Sequence, residues 1–142
     1  MLGPYKRFSV ELHEENDGPA KDAVSRFIFG QWGLDVDEGG TYGVDLLCYR
    51  DYVLVGYVEV ERRHNWVLDF PFETVHVPER KAKFLSLDRP MVLFSVRSDL
   101  AQAMWCHGHE IGSSPIEAKD NRYLKGERFY CVPVEKWTLV WL

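Results

Sequence analysis

No apolar run in this chain approaches the roughly 18 residues that a membrane helix requires, so a membrane partner is not expected. Cysteine is scarce. Cys48, Cys106 and Cys131 form an odd, widely spaced set, which excludes a disulfide framework and suits buried free thiols in a reducing compartment. Residues 1–7 lack the apolar segment of a secretory signal, and a cytoplasmic location is expected. A glycine-rich phosphate loop, a Rossmann fingerprint, internal repeats and low-complexity segments are all missing. Positive charge is lacking in bulk: Lys and Arg number 17 against 22 Asp and Glu, a net charge of −5. That excludes a protein that binds nucleic acid through overall charge. Local basic clusters do exist, Arg62-Arg63-His64, Arg80-Lys81 with Lys83, and Arg122, Lys125 and Arg128, the last group reading most simply as a solvated face.

What is present is the composition of a folded soluble protein, 46% hydrophobic and 14% aromatic over 142 residues. One domain spanning residues 1–142 is expected. Asp17-Gly18-Pro19 reads as a helix start, with Asp17 or Asn16 as cap and Pro19 in the first turn. Ala20, Ala23, Val24, Phe27 and Ile28 recur at helical spacing, and the helix should stop between Gly30 and Gly33. The acidic stretch Asp35 to Gly40 reads as a turn. Tyr42 to Tyr49 and Tyr52 to Arg62 read as two strands of a tight hairpin. Both are apolar on both faces, Val44, Leu46 and Cys48 opposing Leu47 and Tyr49. Such a hairpin is central and should be covered by helices on both sides. An aromatic loop follows from Asn65 to Val77, then a short helix opened by Pro78. Pro90 to Val96 and Ala101 to Cys106 read as strands and Pro115 to Asn121 as a helical turn. Arg128 to Val134 and Trp137 to Trp141 read as the last strands. The fold class predicted is α+β, a mixed central sheet with a core hairpin flanked by helices.

Three carboxylates interrupt that hairpin: Asp45 within Gly43-Val44-Asp45-Leu46, and Glu59 and Glu61 within Val58-Glu59-Val60-Glu61. Burying a carboxylate without a partner costs roughly several kcal/mol, so such groups hold a metal, a cation or a proton. Glu59 and Glu61 share a face of one strand. Register decides whether Asp45 joins them. A three-residue turn over Arg50, Asp51 and Tyr52 pairs Asp45 with Tyr57, leaving Glu59 one same-face step away. A two-residue turn requires a bulge, for which Gly56 is the place. Either solution brings the three carboxylates within reach of one hard cation, Mg2+ or Mn2+. The alternative is structural, with Asp45 capping a turn and Glu59 and Glu61 paired with Arg62, Arg63 or Lys81.

Gly-Val-Asp-Leu, a hairpin, then Glu-Val-Glu, with a helix before and after, resembles the PD-(D/E)XK nuclease superfamily over roughly residues 17 to 97. The resemblance implies a restriction-endonuclease-like fold in which Asp45 and Glu59 bind metal. Glu61 stands where the motif has lysine. It would serve as a further metal ligand or as a base, or a cation would arrive from the next helix, as Lys81 or Lys83. An extra acid from the first helix would be Asp22 or, less well placed, Glu15. The implied activity is metal-dependent hydrolysis of a phosphodiester, by an endonuclease acting on DNA rather than RNA. A compact enzyme of this kind fits a phage, a mobile element, or a repair or restriction system, and a homodimer is compatible with it. The catalytic set is then Asp45, Glu59, Glu61 and Lys81, with Arg62, Arg63 and Lys83 holding nucleic acid. Trp66 or Tyr57 could stack on a base or belong to the core.

The competing class is a binding or assembly module that keeps the fold without the chemistry, favoured by Glu61 in place of lysine and by the net acidity. Cys106-His107-Gly108-His109 has the spacing of half a zinc site, but only His76 and Cys131 could complete it. An exposed turn after a buried cysteine is the simpler reading. Ser113-Ser114 reads as a turn, and Arg62-Arg63-His64-Asn65 resembles an HNH nuclease in letters only.

Overall fold

The computed structural model of this protein describes residues 17–40, 43–119 and 126–142. Helix α1 (Gly18–Phe27) starts where expected: the Asp17 side chain accepts from the Ala20 N–H at 3.2 Å, and proline sits in the first turn. A π-helical turn (Ile28–Trp32) closes it, and Gly33, at φ +67°, takes the left-handed conformation that terminates it.

The main sheet has six strands in the order β1 (Asp35–Glu38), β2 (Leu46–Arg50), β3 (Val53–Arg63), β5 (Met91–Arg97), β6 (Gln102–His107), β9 (Thr138–Trp141). β3 and β5 are parallel and every other neighbouring pair is antiparallel, so the sheet is mixed, as expected. Between β3 and β5 the chain crosses over through β4 (Thr74–Pro78), a 3-10 turn (Glu79–Lys81) and the short helix α2 (Ala82–Leu85). β4 belongs to a second sheet, ordered β4, β8 (Glu127–Pro133), β7 (Ile116–Lys119). Helix α3 (Gly108–Gly112) links β6 to β7. Among the described residues no helix is long and apolar enough to cross a membrane.

The hairpin is apolar on both faces, but its two covers differ. Leu46, Cys48, Val58, Val60, Phe94 and Val96 pack against Ala20 and Val24 of α1 and Ile28 of the π-helical turn. On the other face, Leu47, Tyr57, Leu93 and Cys106 pack against Val75, Val77, Tyr130 and Val132 of the second sheet, with Phe84 and Ile111 from α2 and α3. A sheet therefore does much of the work expected of a second helix layer. Val44 joins the second cluster rather than the Leu46 side, because residues 43–45 are bends and strand alternation does not reach them.

Three segments differ from expectation. Thr74 to Val77, expected as the end of the aromatic loop, belongs to strand β4, whose register is set by pairing with β8. Asp35 to Glu38 is an edge strand, not a turn. Its charges face water, as on many protected edges, and leave almost no apolar alternation to detect. Ile116 to Lys119 is likewise a strand rather than a helical turn, exposed along its length and held by pairing with β8.

The turn between β2 and β3 has two residues, Asp51 and Tyr52, both at positive φ (+50° and +67°), the geometry that matches strand twist in tight hairpins. Arg50 pairs with Val53 and Tyr49 with Leu54, then the register shifts and Cys48 pairs with Gly56, leaving Val55 as the extra residue. The bulge route is the one realised. Gly56 also sits against the β5 entry, where a Cβ would lie 3.0 Å from the Pro90 carbonyl oxygen. Beyond the bulge Leu46 pairs with Val58, so the next step sets Asp45 opposite Glu59.

Gly39 closes the loop that delivers Asp45. Its N–H donates to the Asp45 carbonyl at 3.0 Å, and an added Cβ would lie 1.9 Å from the Val44 carbonyl oxygen. Gly39→Ala should destabilise the chain by roughly 2 kcal/mol or more, because backbone must move to admit the methyl group. Urea denaturation checks this, and an unchanged midpoint would show that the loop yields freely.

Candidate active site

β2 begins at Leu46, so the N–H of Val60 on β3 lacks a strand partner on that side; the Asp45 Oδ2 accepts from it at 2.8 Å. In return the Asp45 N–H donates to Glu59 Oε2 at 2.7 Å. Each acid is thus fixed through the other's strand. Glu59 is 2% exposed, and its second oxygen, Oε1, accepts from Lys81 Nζ at 2.7 Å. Lys81 comes from the 3-10 turn after β4, so the crossover connection supplies the cation. Lys21 of α1 reaches Asp45 Oδ1 at 3.5 Å.

Burial pushes the Glu59 carboxyl up to about 7, and the Asp45 charge adds to this while Lys81 pulls the other way. Burial also works against the Lys81 ammonium, but Glu59, Glu61 and Asp45 outweigh it and hold the group above the ordinary lysine value. Lys81 is therefore a fixed positive charge at neutral pH. A cleft of about 380 Å³ opens here, lined by Asp45, Glu59, Phe84 and four basic residues, Lys21, Arg80, Lys81 and Lys83. Four cations against two carboxylates make it locally positive in a protein of net charge −5.

The other site residues read from the sequence are placed differently. Glu61 shares the face of Glu59 but its carboxylate lies 3.0 Å from Arg63 Nη2 and outside the cleft lining. The expected convergence of three carboxylates is thus a convergence of two. Among the described residues no group of three or more His, Cys, Asp or Glu is arranged to hold a metal. Arg62 turns to the α1 face, its Nε 3.2 Å from the Asp17 carboxylate, and stabilises the helix start. Arg63 donates through Nε to Ser95 Oγ at 3.2 Å. Neither arginine lines the Asp45 cleft. Lys83 does line it, with its ammonium 5.0 Å from the Phe84 ring centre. The structural alternative is realised in part, since Glu61 pairs with Arg63 and Glu59 with Lys81, though Glu59 is buried rather than solvated.

Asp22 is exposed on α1, away from the cleft, and Glu15 lies outside the described residues. Tyr57 and Trp66 are core residues, 2% and 1% exposed, with the Tyr57 hydroxyl donating to Asp88 Oδ1 at 2.6 Å. Cys106 is buried and its thiol is pushed up to about 11 by that burial; His107 stacks on His109 instead of joining it at a metal. The Ser113 and Ser114 hydroxyls donate to the Glu110 carbonyl and end α3. Lys21 was not legible as a site residue, because an exposed-face lysine in a first helical turn carries no signal until the helix is docked.

A scan against protein-family models matches none, and searches of the curated proteins and of the solved structures likewise return no match.

The Glu59 carboxyl has its ordinary value of 4.5 in the unfolded chain and about 7 in the folded one. Between those values the folded chain keeps a proton that the unfolded chain has released, so this group's contribution to stability falls as pH rises from about 4.5 to about 7. Glu59→Gln should flatten that part of the profile. Urea midpoints at about pH 5 and about pH 7.5 for both proteins test it, and equal slopes would place the ionisation elsewhere.

Proposed function

We propose that the Asp45–Glu59 cleft is the active centre of a metal-dependent phosphodiesterase. More particularly, we read the chain as a nuclease that hydrolyses a nucleic-acid strand internally, DNA in preference to RNA. The observation that carries this reading is the cleft itself: a carboxylate on β3 opposed by one just before β2, a half-buried lysine on the first of them, and three further cations in the lining. The order of elements supports it. A helix, a hairpin with the acids at one end, a crossover with a short helix and a strand parallel to β3 follow the core order of the PD-(D/E)XK superfamily.

The donor set suits Mg2+ or Mn2+. Mg2+ is commonly held by one or two carboxylates, with water and substrate phosphate completing the octahedron, so Asp45 and Glu59 suffice without Glu61. When bound, the ion supplies Lewis acidity to a phosphate oxygen and a water of lowered pKa. Lys81 takes the part of the motif lysine that the sequence lacks two residues after Glu59. Its ammonium would swing between Glu59 and the attacking water or the charged phosphate, holding either by a charge-assisted hydrogen bond. Arg80, Lys83 and Lys21 would position the flanking backbone phosphates. Glu61 would act indirectly, by its charge on Lys81 and its hold on Arg63.

The second reading is a module that binds without cleaving. It is favoured by the Lys81–Glu59 pair, which already neutralises the buried acid.

One pair of experiments separates these. Titration calorimetry with Mn2+ should show binding to the wild type and at least about tenfold weaker binding to Asp45→Ala. Nicking of supercoiled plasmid should require Mn2+ and fall about a hundredfold in Lys81→Met. Cleavage unchanged in Asp45→Ala would remove the assignment, and metal binding without cleavage would favour the module.

A further inference from the structure

A second cleft, of about 440 Å³, is lined by Arg63, Phe70, Phe72, Glu73, His76 and Lys119, among others. Among the described residues none lines both clefts, but β3, and β4 with the turn that follows it, carry residues into each. Arg63 lies four residues beyond Glu59 on a stretch of β3 whose pairing with β5 is regular, hence on the same face and roughly 13 Å along it. β4 carries His76 into the second cleft, and the turn that follows it carries Arg80 and Lys81 into the first.

The two clefts differ in chemistry. The first is basic with one aromatic residue; the second combines three basic side chains with an open aromatic surface. Phe70 is anchored edge-on against Trp66, whereas Phe72 next to it is 52% exposed. Lys119 Nζ lies 3.3 Å from His76 Nε2; Arg63 lines the cleft but donates through Nε to Ser95 and sets its buried Nη2 against Glu61. Burial first, then Lys119 and Arg63, hold the His76 imidazole below its usual value, against the opposite pull of Glu117. An open aromatic face lies beside Lys119 and Arg63, with Glu73 in the lining and Glu117 and Glu61 acting on His76 and Arg63. Such a cleft suits a ligand that is flat at one end and carries an anionic group at the Lys119 end.

We propose that this second cleft is a nucleotide subsite. The base stacks on Phe72, and the phosphate is held by Lys119, His76 and Arg63. The nucleotide belongs to the strand whose phosphodiester lies at Asp45 and Glu59. The class of ligand rests on the phosphodiesterase reading, but the binding it describes needs neither metal nor cleavage. A lone free nucleotide has the same chemistry.

Fluorescence anisotropy of a labelled short oligothymidylate with the full chain, in the presence of EDTA, tests the subsite apart from the metal centre. Phe72→Ala and Lys119→Ala should each weaken binding about tenfold, and Lys119→Ala should lower the salt slope by about 1. Both side chains are exposed, so folding should survive either change. The affinity for Mn2+ should stay at the wild-type value in both variants. Oligonucleotide binding unaltered in both variants would overturn the proposal. Displacement by thymidylate at the oligonucleotide's own concentration would assign the cleft to a free nucleotide and overturn the shared strand. Binding that depends on Phe72 in a chain that never cleaves would leave the subsite standing and the phosphodiesterase reading refuted.

Discussion

The carboxylate of Glu59 is the constraint around which this structure is arranged. It sits within an apolar strand at the centre of a six-stranded sheet and is 2% exposed. An ionised carboxylate there without partners costs several kcal/mol, roughly, so the rest of the fold must bring donors to it. One donor is the Asp45 N–H, which requires the β2–β3 register set by the bulge at Val55–Gly56 and the tight loop closed by Gly39. The other is Lys81, which requires the crossover to leave β4 and turn back over the sheet. Asp45 in turn meets a β3 N–H and a lysine from α1. Three separate parts of the chain are therefore tied to one side chain.

This arrangement also changes the meaning of the charge. A net charge of −5 argues against nucleic-acid binding only if charge is spread evenly, and here it is not. Lys21, Arg80, Lys81 and Lys83 surround two acids in one cleft, and Arg63, His76 and Lys119 gather in the next. Both sets come from segments far apart in sequence. The exposed acids Asp35, Asp37 and Glu38 of β1 line neither cleft.

Much of the scaffold was legible because its signals are local. The Asp17 cap, the spacing of Ala20, Val24 and Ile28, and the two-sided apolar hairpin depend on near neighbours and appear as read. The acidic pair was legible too, since two carboxylates among valines and leucines are conspicuous wherever the strands go. β1 and β7 were not, because an edge strand stabilised mainly by its ladder needs little apolar alternation. The same holds for the second sheet as a layer: its three strands are spread between residues 74 and 133, and its partners are set by tertiary pairing. Among the site residues, Arg62 and Arg63 belong to consecutive positions on a strand. They consequently point to opposite faces, one to the α1 cap and the other toward Ser95.

Residue pattern alone is enough for an α+β chain with a central hairpin, and for three acids on that hairpin that call for a metal, a cation or a proton. The reason is that strand alternation and the cost of burying charge are properties of the residues and their spacing. Only the tertiary structure decided which residues answer that need. A hydrogen bond from a backbone N–H and a contact from a lysine 22 positions away depend on register, on a bulge and on the path of a crossover. The same long-range geometry turned Glu61 aside, brought Lys21 in, and set a second basic and aromatic cleft beside the first.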